Sequence, residues 1–576
     1  MFRTSYGEDI FKTKYAQNQY ETWHDRAKRV VNWVCGDMDG TKNHLLSKDD
    51  QAQLIQFISE FKFMPGGRYL WYGGREARFF NNCYLLRLED DSREEWAALS
   101  QRAMSCLMTG GGIGADVSLC RPGGRALRRT GGVSSGPLPL LSTLNEIGRN
   151  VMQGGSRRSA LYGSLSASHG DIWDFLHYKN WHERKIAGSE MTIADAKKAD
   201  FNYPAPLDMM NISTNYSDEW LSGNDNEVFM ENCRQALMTG EPGFSFNFGA
   251  QKNETLRNAC CEILSENDSD VCNLGSVNLA NIDTLEDFKD VVHLASKFLV
   301  CGLIRAHLPY EKVERVRQQN SRIGLGLMGL HEWLLKRDHR YEMNDELKKW
   351  MKVYETESER SANEHCERLF LNRPKGYRAI APTGTISILA GTTSGVEPVY
   401  AVAYRRRYLT DGTRWKYQFV VDGTAQHLIE CGVKPADIES AVDLAEDVER
   451  RVKFQYELQK FVDHAISSTI NLPQYGSELN NADHVEPFSK MLRKYGHGLR
   501  GLTFYPSGSR GGQPINAVPY EEAASKRGII STKLQGLCRI SSCLNKISSQ
   551  ASLHAPGLPG SANMYVPLAT PPVARL

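Results

Sequence analysis

The segment Asn258-Ala259-Cys260-Cys261-Glu262 brings three reactive types of side chain together within five residues. In an extended chain, residues 258, 260 and 262 point to the same face, so an amide, a thiol and a carboxylate would lie side by side. A thiol can give up a hydrogen atom or act as a nucleophile, and a carboxylate can accept the proton of a substrate hydroxyl. Taken alone, such a segment is more often two core cysteines beside a surface glutamate, so its interpretation depends on other residues.

Four further cysteines could complete a redox site. Cys272 begins the segment CNLGSVNL, twelve residues after Cys260, and Cys83 lies in NNCYLL. Each of these two cysteines, taken singly, is typical of a packed core. Cys538 and Cys543 lie five residues apart near the end of the sequence. A pair with this spacing can form a disulfide and exchange it with another pair, or it can be two surface thiols.

The segment APTGTIS at residues 381–387 is typical of an anion site, because it combines hydroxyls with a glycine and free amides at the start of a helix. It is not a Walker A loop, since the Gly-Lys-Ser/Thr element is missing. A capped helix without a ligand is the alternative. The run GGGIG at 110–114 does not meet the GxGxxG pattern of dinucleotide-binding folds.

Composition excludes several classes of protein. The 576 residues are 41% hydrophobic and 24% charged, which is ordinary for a globular protein and long enough for several domains or one large barrel. A net charge of +1 gives no field that would recruit a nucleic acid polymer. No apolar run is long enough to cross a membrane. Thirteen cysteines without a secretion signal predict a reducing, cytoplasmic compartment, and the lack of any CxxC pair argues against a metal site.

The periodicity of apolar residues predicts alternating helices and strands, and hence an α/β architecture. Residues 15–35 are predicted to form a helix with a buried stripe. Residues 287–304 and 322–336 are predicted as helices, the second after a glycine-rich start. Residues 377–390 are predicted as a strand, a tight turn and a helix. The stripe of the first helix consists of Trp23, Ala27, Val30, Val31 and Val34.

Several motifs in one order resemble the catalytic chain of ribonucleotide reductases over residues 5–543. The resemblance implies a ten-stranded α/β barrel with a central finger loop that carries the radical cysteine. It divides the chain into an N-terminal helical region (1–60), a catalytic barrel (61–515) and a flexible C-terminal tail with redox-shuttle cysteines (516–576). The motifs are MPGGRYLW, NNCYLL, TGGGIGADV, QGGSRRSA, NACCE, CNLGSVNL, RIGLGLMGL, PTGTIS with GVEP, and FYPSGSRGGQP.

The stretches GVEPVYAVAYRRRY and LTFYPSGSRGGQP resemble the adenosylcobalamin-dependent class II of this family. The chain contains no adjacent tyrosine pair, which the oxygen-dependent class I uses to relay a radical. Two alternatives stay open: a class I catalytic subunit that needs a separate radical subunit, and a non-catalytic nucleotide-binding regulator. Retention of the redox cysteines and Glu262 argues against the regulator.

The resemblance assigns roles to residues. A radical derived from adenosylcobalamin would take the hydrogen of Cys260, whose thiyl radical would take the 3′ hydrogen of a ribonucleotide. Glu262 would accept the 3′ hydroxyl proton, and Asn258 would orient the site. Cys83 and Cys272 would become a disulfide as the 2′ hydroxyl leaves as water. The substrate-binding residues implied are Asn82, Asn211, Pro382, Thr383, Gly384, Thr385, Ile386 and Ser387.

The resemblance also implies partners. Cys538 and Cys543 would reduce the active-site disulfide and be reset by a thioredoxin- or glutaredoxin-like protein. A deoxynucleotide effector would bind near Asp91, Ser92, Arg157 and Arg158 at the interface of a homodimer. Diphosphate substrates are favoured, with triphosphates left open. Two departures from the family are noted: Cys261 stands where glycine usually follows the radical cysteine, and residues 544–576 extend beyond the shuttle pair.

Overall fold

A computed structural model describes residues 2–37, 44–128, 130–151, 159–200, 203–223, 226–410, 414–509, 515–526 and 529–534. Among these residues, no helix has both the length and the apolar character needed to span a membrane. A π-helix, Phe11–Tyr15, follows the first α-helix. The α-helices are α1 Ser5–Ile10, α2 Trp23–Cys35, α3 Lys48–Ser59, α4 Gly67–Tyr72, α5 Arg93–Met108, α6 Pro137–Asn150, α7 Ile172–His177, α8 Ile193–Ala199, α9 Asp218–Leu221, α10 Asn226–Thr239, α11 Leu285–Arg305, α12 Glu311–Asn320, α13 Leu330–Leu335, α14 Asp345–Arg368, α15 Gly384–Ala390, α16 Gly423–Glu430, α17 Ala441–Leu444, α18 Val448–Gln459, α19 Val485–Gly496 and α20 Tyr520–Ser525.

The strands alternate with these helices along most of the chain, as the sequence predicts for an α/β protein. They are β1 Phe63–Pro65, β2 Cys83–Arg87, β3 Gly112–Asp116, β4 Leu161–Ser166, β5 Met210–Tyr216, β6 Gly243–Phe246, β7 Leu256–Arg257, β8 Leu264–Ser265, β9 Asp270–Asn278, β10 Ile323–Met328, β11 Ala403–Thr410, β12 Arg414–Val421, β13 Thr469–Leu472, β14 Gly501–Pro506, β15 Ile515–Ala517 and β16 Ile530–Leu534.

Ten strands form the main sheet, in the order β1-β9-β2-β3-β4-β5-β6-β14-β13, with β10 also paired to β9. Strands β2 to β6 run parallel to one another, and β9 is antiparallel to β2. Two isolated bridges join β10 to Arg378 and Ile380 to Ile466, just before β13. The mixed α/β architecture with a ten-stranded sheet agrees with the predicted fold class.

A hairpin of β7 and β8 stands outside this sheet order and lies against β3. Leu256 pairs with Ser265 and Arg257 with Leu264, so residues 258–263 form the tip of the hairpin. Glycine at position 114 makes the contact with β3 feasible, because a Cβ there would overlap the carbonyl oxygen of Arg257. The tip of this hairpin carries Asn258, Cys260 and Glu262, the residues that the sequence singles out.

Helix α2 illustrates how local sequence fixes the outer elements. Thr22 and Asp25 form a capping box, which satisfies backbone donors at the start of the helix. All five stripe residues are buried, which confirms the predicted apolar face. They belong to one apolar core that combines residues 11–80 with residues 277–466, so the N-terminal helices pack directly on the later part of the chain.

One prediction about an element is wrong. Residues 323–328 form a buried strand followed by the short helix α13, where one helix was expected from 322 to 336. Most of the tail expected at 516–576 lies outside the described residues; in its described part, β15 pairs with β11 and β16 pairs with β12 in a separate four-stranded sheet. The helix expected at 287–304 is confirmed as α11.

Candidate active site

The hairpin tip presents the residues that the sequence singled out. The amide N–H of Cys261 donates to the carbonyl oxygen of Asn258 at 3.0 Å, which closes a turn at residues 258–261. The side chain of Asn258 accepts a second bond, from the amide of Ile263 at 2.9 Å. On the far side, the amide of Ala465 donates to the carbonyl oxygen of Glu262 at 2.9 Å. These bonds fix the tip and thereby the direction of its side chains.

Cys83 and Cys272 occupy directly opposite positions on antiparallel strands β2 and β9. Opposite residues of an antiparallel pair point to the same face, so the two thiols are neighbours. The Cys83 thiol accepts a hydrogen bond from Asn258 Nδ2 at 2.9 Å and donates to Glu262 Oε1 at 3.7 Å. Burial and the nearby Glu262 carboxylate raise the pKa of Cys83 well above its usual value, so this thiol keeps its proton at neutral pH.

Glu262 has the properties of a proton acceptor that works near neutral pH. Its side chain is buried, with 1% of the residue exposed. Burial disfavours the charged carboxylate and raises the pKa of Glu262 to about 7, although hydrogen bonds from Asn258 and Cys83 oppose the shift. Its Oε2 atom has no hydrogen-bond partner in the described part of the chain. An unpartnered acceptor on a cavity wall is available to a ligand.

One cavity collects most of the predicted site residues. Cys260, Glu262, Asn258 and Cys83 line it together with Asn82, whose Oδ1 atom is buried and has no partner among the described residues. Cys272 does not line the cavity but lies opposite Cys83 on the neighbouring strand. The other predicted residues in the wall are Pro382, Thr383, Gly384, Thr385 and Ile386.

The segment 381–387 has the predicted form of a turn leading into helix α15. Thr383 is in the left-handed region, with φ of 51°, and its Oγ1 accepts a bond from the amide of Gly395 at 2.7 Å. The first helical bond within this turn runs from the amide of Ser387 to the carbonyl of Thr383. A Cβ at Gly384 would meet nothing within 4 Å, so the space above the first turn is open. Free amides around such a space suit an anion.

Two predicted substrate-binding residues do not lie in this cavity. Ser387 is fully buried and its hydroxyl lies 2.7 Å from that of Ser394, so it holds the turn together instead of facing the cavity. Asn211 is exposed on β5, where it is paired with Tyr162 of β4. Neither side chain reaches this cavity, so the place at the substrate that the resemblance implies for them stays a prediction.

Cys261 also faces away from the cavity. Its φ is 67°, in the left-handed region that glycine adopts most easily. The residue lines a second cavity of about 10 Å³ with Tyr162 and Arg257, and Cys260 borders both cavities. The departure from glycine noted in the sequence thus falls on a strained backbone position next to Cys260.

Two of the residues predicted for effector binding, Asp91 and Ser92, do not line the cavity. Ser92 is the N-cap of α5 and accepts a bond from the amide of Glu95 at 3.1 Å. Asp91 forms an ion pair with Arg121. Arg157, Arg158, Cys538 and Cys543 lie outside the described residues.

Sequence reasoning missed several residues in the cavity wall. Lys14 and Tyr15 come from the N-terminal π-helix, and nothing in their local sequence indicates a site. Arg68 and Trp71 also line the cavity, and they lie within the MPGGRYLW motif. That motif could have identified them, since Gly66 precedes and Gly67 begins the helix that holds both side chains.

The family model described as "Ribonucleotide reductase, barrel domain" matches residues 81–203, 214–364 and 375–505. A vitamin B12-dependent ribonucleoside-diphosphate reductase of Mycobacterium tuberculosis (strain CDC 1551 / Oshkosh) is 26% identical over 90% of this chain and 82% of that protein. A putative adenosylcobalamin-dependent ribonucleoside-triphosphate reductase of Mycobacterium phage D29 is 23% identical over 93% of this chain and 98% of that protein. A ribonucleoside-diphosphate reductase subunit alpha of Chlamydia muridarum (strain MoPn / Nigg) is 26% identical over 56% of this chain and 36% of that protein.

The matched family segments include Cys83, the hairpin tip, Cys272 and the 381–387 turn, so the match covers the residues that meet in the cavity as well as the strands that hold them. Because these segments also make up more than half of the sequence, the chain belongs to the ribonucleotide reductase barrel family.

Proposed function

We propose that this chain reduces ribonucleotides to 2′-deoxyribonucleotides with a thiyl radical on Cys260, in the manner of the adenosylcobalamin-dependent class. The observation that carries the proposal is the meeting of Cys260, Glu262, Asn258 and Cys83 in one cavity with an anion-binding turn. The names of the relatives from Mycobacterium tuberculosis and Mycobacterium phage D29 support ribonucleotide reduction and the cobalamin-dependent class.

Hydrogen transfer is assigned to Cys260. The hairpin holds its thiol at the cavity, and the bonds of Asn258 keep the turn in place. The thiyl radical takes the 3′ hydrogen of the ribose and returns it at the end of the reaction. Because the hydrogen is returned, Cys260 is regenerated in each cycle.

Proton transfer is assigned to Glu262. Its pKa of about 7 lets the carboxylate accept the 3′ hydroxyl proton at neutral pH and release it again. Its partner Cys83 keeps its own proton and can give it to the departing 2′ hydroxyl, which leaves as water. Asn258 Nδ2 then stabilises the thiolate that remains on Cys83.

The two electrons for the reduction come from Cys83 and Cys272. One ribonucleotide and two thiols give one deoxyribonucleotide, one disulfide and one water, so electrons and atoms balance. The opposite positions of the two cysteines allow the S–S bond to form across neighbouring strands. The substrate phosphates are assigned to the open amides at Thr383, Gly384 and Thr385, and a diphosphate is the preferred substrate.

The residues beside Cys260 fit the reactive end of adenosylcobalamin. Gly112, Ala160 and Ala259 line the cavity next to it, and a Cβ on Gly112 would approach the Cβ atoms of Ala259 and Ala160 at 2.9 and 3.3 Å. Small residues on this wall leave room for a bulky group near the thiol. When bound, the cofactor supplies a carbon-centred radical able to remove the hydrogen of a thiol.

The main sheet is proposed to close into a barrel through residues 377–380. The amide of Leu325 donates to the carbonyl of Tyr377 at 2.9 Å, and the amide of Ile380 donates to the carbonyl of Ala465 at 3.1 Å. These bonds connect β10 with the chain leading into β13, which are the two remaining edges of the sheet. A closed ring would place the hairpin inside the barrel.

The remaining assignments concern partners and compartment. Cys538 and Cys543 are proposed to carry electrons from a thioredoxin- or glutaredoxin-like protein to Cys83 and Cys272. A deoxynucleotide effector and a homodimer are proposed around Asp91 and Ser92. The free cysteines of the described residues support a reducing compartment, for which we propose the cytoplasm.

The test is an assay for deoxynucleotide formation under strict exclusion of oxygen, with adenosylcobalamin, a small dithiol and an effector, on both CDP and CTP. We expect product that depends on the cofactor and on Cys260, with Cys260→Ser inactive but still binding nucleotide. The matched control is Cys431→Ser, which removes an exposed cysteine remote from the cavity and should keep full activity. Equal turnover without adenosylcobalamin would contradict the proposal.

A further inference from the structure

A second pair of cysteines lies in contact outside the proposed active site. Cys35 is the last residue of α2, and Cys301 lies in α11. Each thiol lies near enough to the other to change its pKa, and both residues are 0% exposed. Arg305, one turn after Cys301 in α11, donates to the carbonyl oxygen of Gly36 at 2.8 Å and so holds the end of α2 against α11. Two neighbouring thiols can reach the bond length of a disulfide, about 2.05 Å, by rotation of their side chains.

An imidazole completes this cluster. His365 of α14 has its Nε2 atom 3.3 Å from the sulfur of Cys301. Burial disfavours the Cys301 thiolate, but hydrogen bonds from Cys35 and His365 favour it more strongly and lower the pKa of Cys301. Burial instead raises the pKa of Cys35 well above its usual value. The cluster therefore contains a nucleophilic thiolate beside a protonated thiol.

The pair is close to the active-site cysteines but separate from them. Gly302 packs against the Tyr69 hydroxyl so closely that a Cβ would overlap it. That hydroxyl accepts a bond from Asn273 Nδ2 at 2.6 Å, and Asn273 follows Cys272 in the sequence. One aromatic ring and one amide thus stand between the two pairs, so direct thiol exchange between them is blocked.

We propose that Cys35 and Cys301 form an oxidation site at which a hydroperoxide creates a disulfide between α2 and α11. The Cys301 thiolate attacks the O–O bond of hydrogen peroxide, giving a sulfenic acid at Cys301 and, after proton uptake, one water. The Cys35 thiol then displaces that hydroxyl as a second water and forms the S–S bond. Two thiols are oxidised and one peroxide is reduced to two waters, with His365 passing the proton released by Cys35 to the departing hydroxyl.

The disulfide would lock the N-terminal helices onto the barrel. Arg26 of α2 donates to the carbonyl oxygens of Gly73 and Tyr15, and Tyr15 lines the active-site cavity. A cross-link at the end of α2 therefore stabilises the helix that supports this wall. Since both thiols are buried, their oxidation requires opening of the helix packing and should be slower than that of exposed Cys431.

The test treats the reduced full-length protein, without cofactor or nucleotide, with hydrogen peroxide, followed by alkylation, trypsin digestion and mass spectrometry. The expected product is peptide 30–42 joined to peptide 298–305, together with a rise in Tm of about 2–4 °C that dithiothreitol reverses. Because no turnover is measured, the result is independent of the proposed function.

Matched variants distinguish this pair from its neighbours. Cys35→Ala and Cys301→Ala should lose the joined peptide, whereas Cys366→Ala, which removes another buried thiol of α14, should keep it. His365→Asn should slow formation of the disulfide about tenfold without changing its identity. The proposal is wrong if both peptides of the unmutated protein are recovered as free thiols once Cys431 is oxidised, or if Cys301 is joined to Cys366.

Discussion

Glu262 links the proposed reaction to the stability of the fold. The burial that raises the pKa of Glu262 also destabilises the folded state when this carboxylate is charged. The Glu262→Gln substitution keeps the shape of the side chain but cannot accept a proton. Turnover should fall by about 10²–10⁴-fold, the range expected for loss of a general base. In the unmutated protein, activity should rise with pH through about 7, since the basic form is the carboxylate.

The same substitution should raise stability at pH 8. The folded pKa of Glu262 is about 7, against 4.5 for an unperturbed glutamate, so the folded state holds the proton more tightly. The raised pKa adds about 3 kcal/mol to the free energy of unfolding while Glu262 is protonated. This stabilisation is fully present below about pH 4.5 and is lost as the pH rises to 7. Urea unfolding of Glu262→Gln should therefore lack this pH-dependent loss. A variant no more stable than the original protein at pH 8 would contradict the raised pKa.

Cys261 allows a direct test of backbone strain. At most positions alanine is more stable than glycine by about 0.5–1 kcal/mol, because glycine loses more conformational freedom on folding. At Cys261 the φ of 67° should reverse this order, so Cys261→Gly should be more stable than Cys261→Ala by about 1 kcal/mol. Both variants lack the thiol, so the comparison isolates the backbone. Urea unfolding measures the difference, and the usual order would rule out strain here.

The identities of the residues at the hairpin tip could be predicted from the sequence, but their orientation could not. The alternation of Asn258, Cys260 and Glu262 predicts a shared face, and all three do line the cavity. Ser387 and Asn211 do not line the cavity, because a motif gives a residue's position and not the direction of its side chain. Asn211 follows the pleat of β5 to the exposed side.

At the scale of elements, the contact between the hairpin and β3 determines where Cys260 lies. Gly114→Ala would force a Cβ onto the Arg257 carbonyl oxygen, which is backbone and cannot rotate away. We expect the hairpin to shift, with activity reduced at least tenfold and stability lowered by about 2–3 kcal/mol. Gly384→Ala is the control for stability, since its Cβ would meet nothing within 4 Å. Equal unfolding curves for the two variants would contradict this account.

Strand β10 explains why one element was mistaken for a helix. Its residues are all buried, and a short buried apolar run does not distinguish a strand from a helix by periodicity. Gly324 packs against Leu274 and Gly326 against the carbonyl oxygen of Ala379, so the glycines mark close approach between strands. By contrast, α2 and α11 were predictable because their apolar stripes continue over several turns.

For the whole molecule, the order of the motifs predicted the architecture better than any local pattern did. From the N-terminal helical region 1–60, Phe11 and Tyr15 belong to the apolar core that also contains residues 277–466. Lys14 and Tyr15 from that region line the cavity. Contacts between residues so far apart in sequence leave no local signal, and so they could not be predicted.

The facing cysteines on β2 and β9 also fix a stoichiometry. Oxidation of Cys83 and Cys272 to a disulfide yields two electrons, which reduce one ribose. Without added dithiol, these two cysteines should therefore allow a reduced chain to make one deoxyribonucleotide. If Cys538 and Cys543 reduce the disulfide of Cys83 and Cys272 once, the burst in a rapid-quench experiment should reach two deoxyribonucleotides per chain. In Cys538→Ser the burst should reach one. Equal bursts in both proteins would argue against the shuttle. The pair Cys35 and Cys301 should not increase the number of deoxyribonucleotides made in the burst, because Tyr69 and Asn273 separate it from the active-site cysteines.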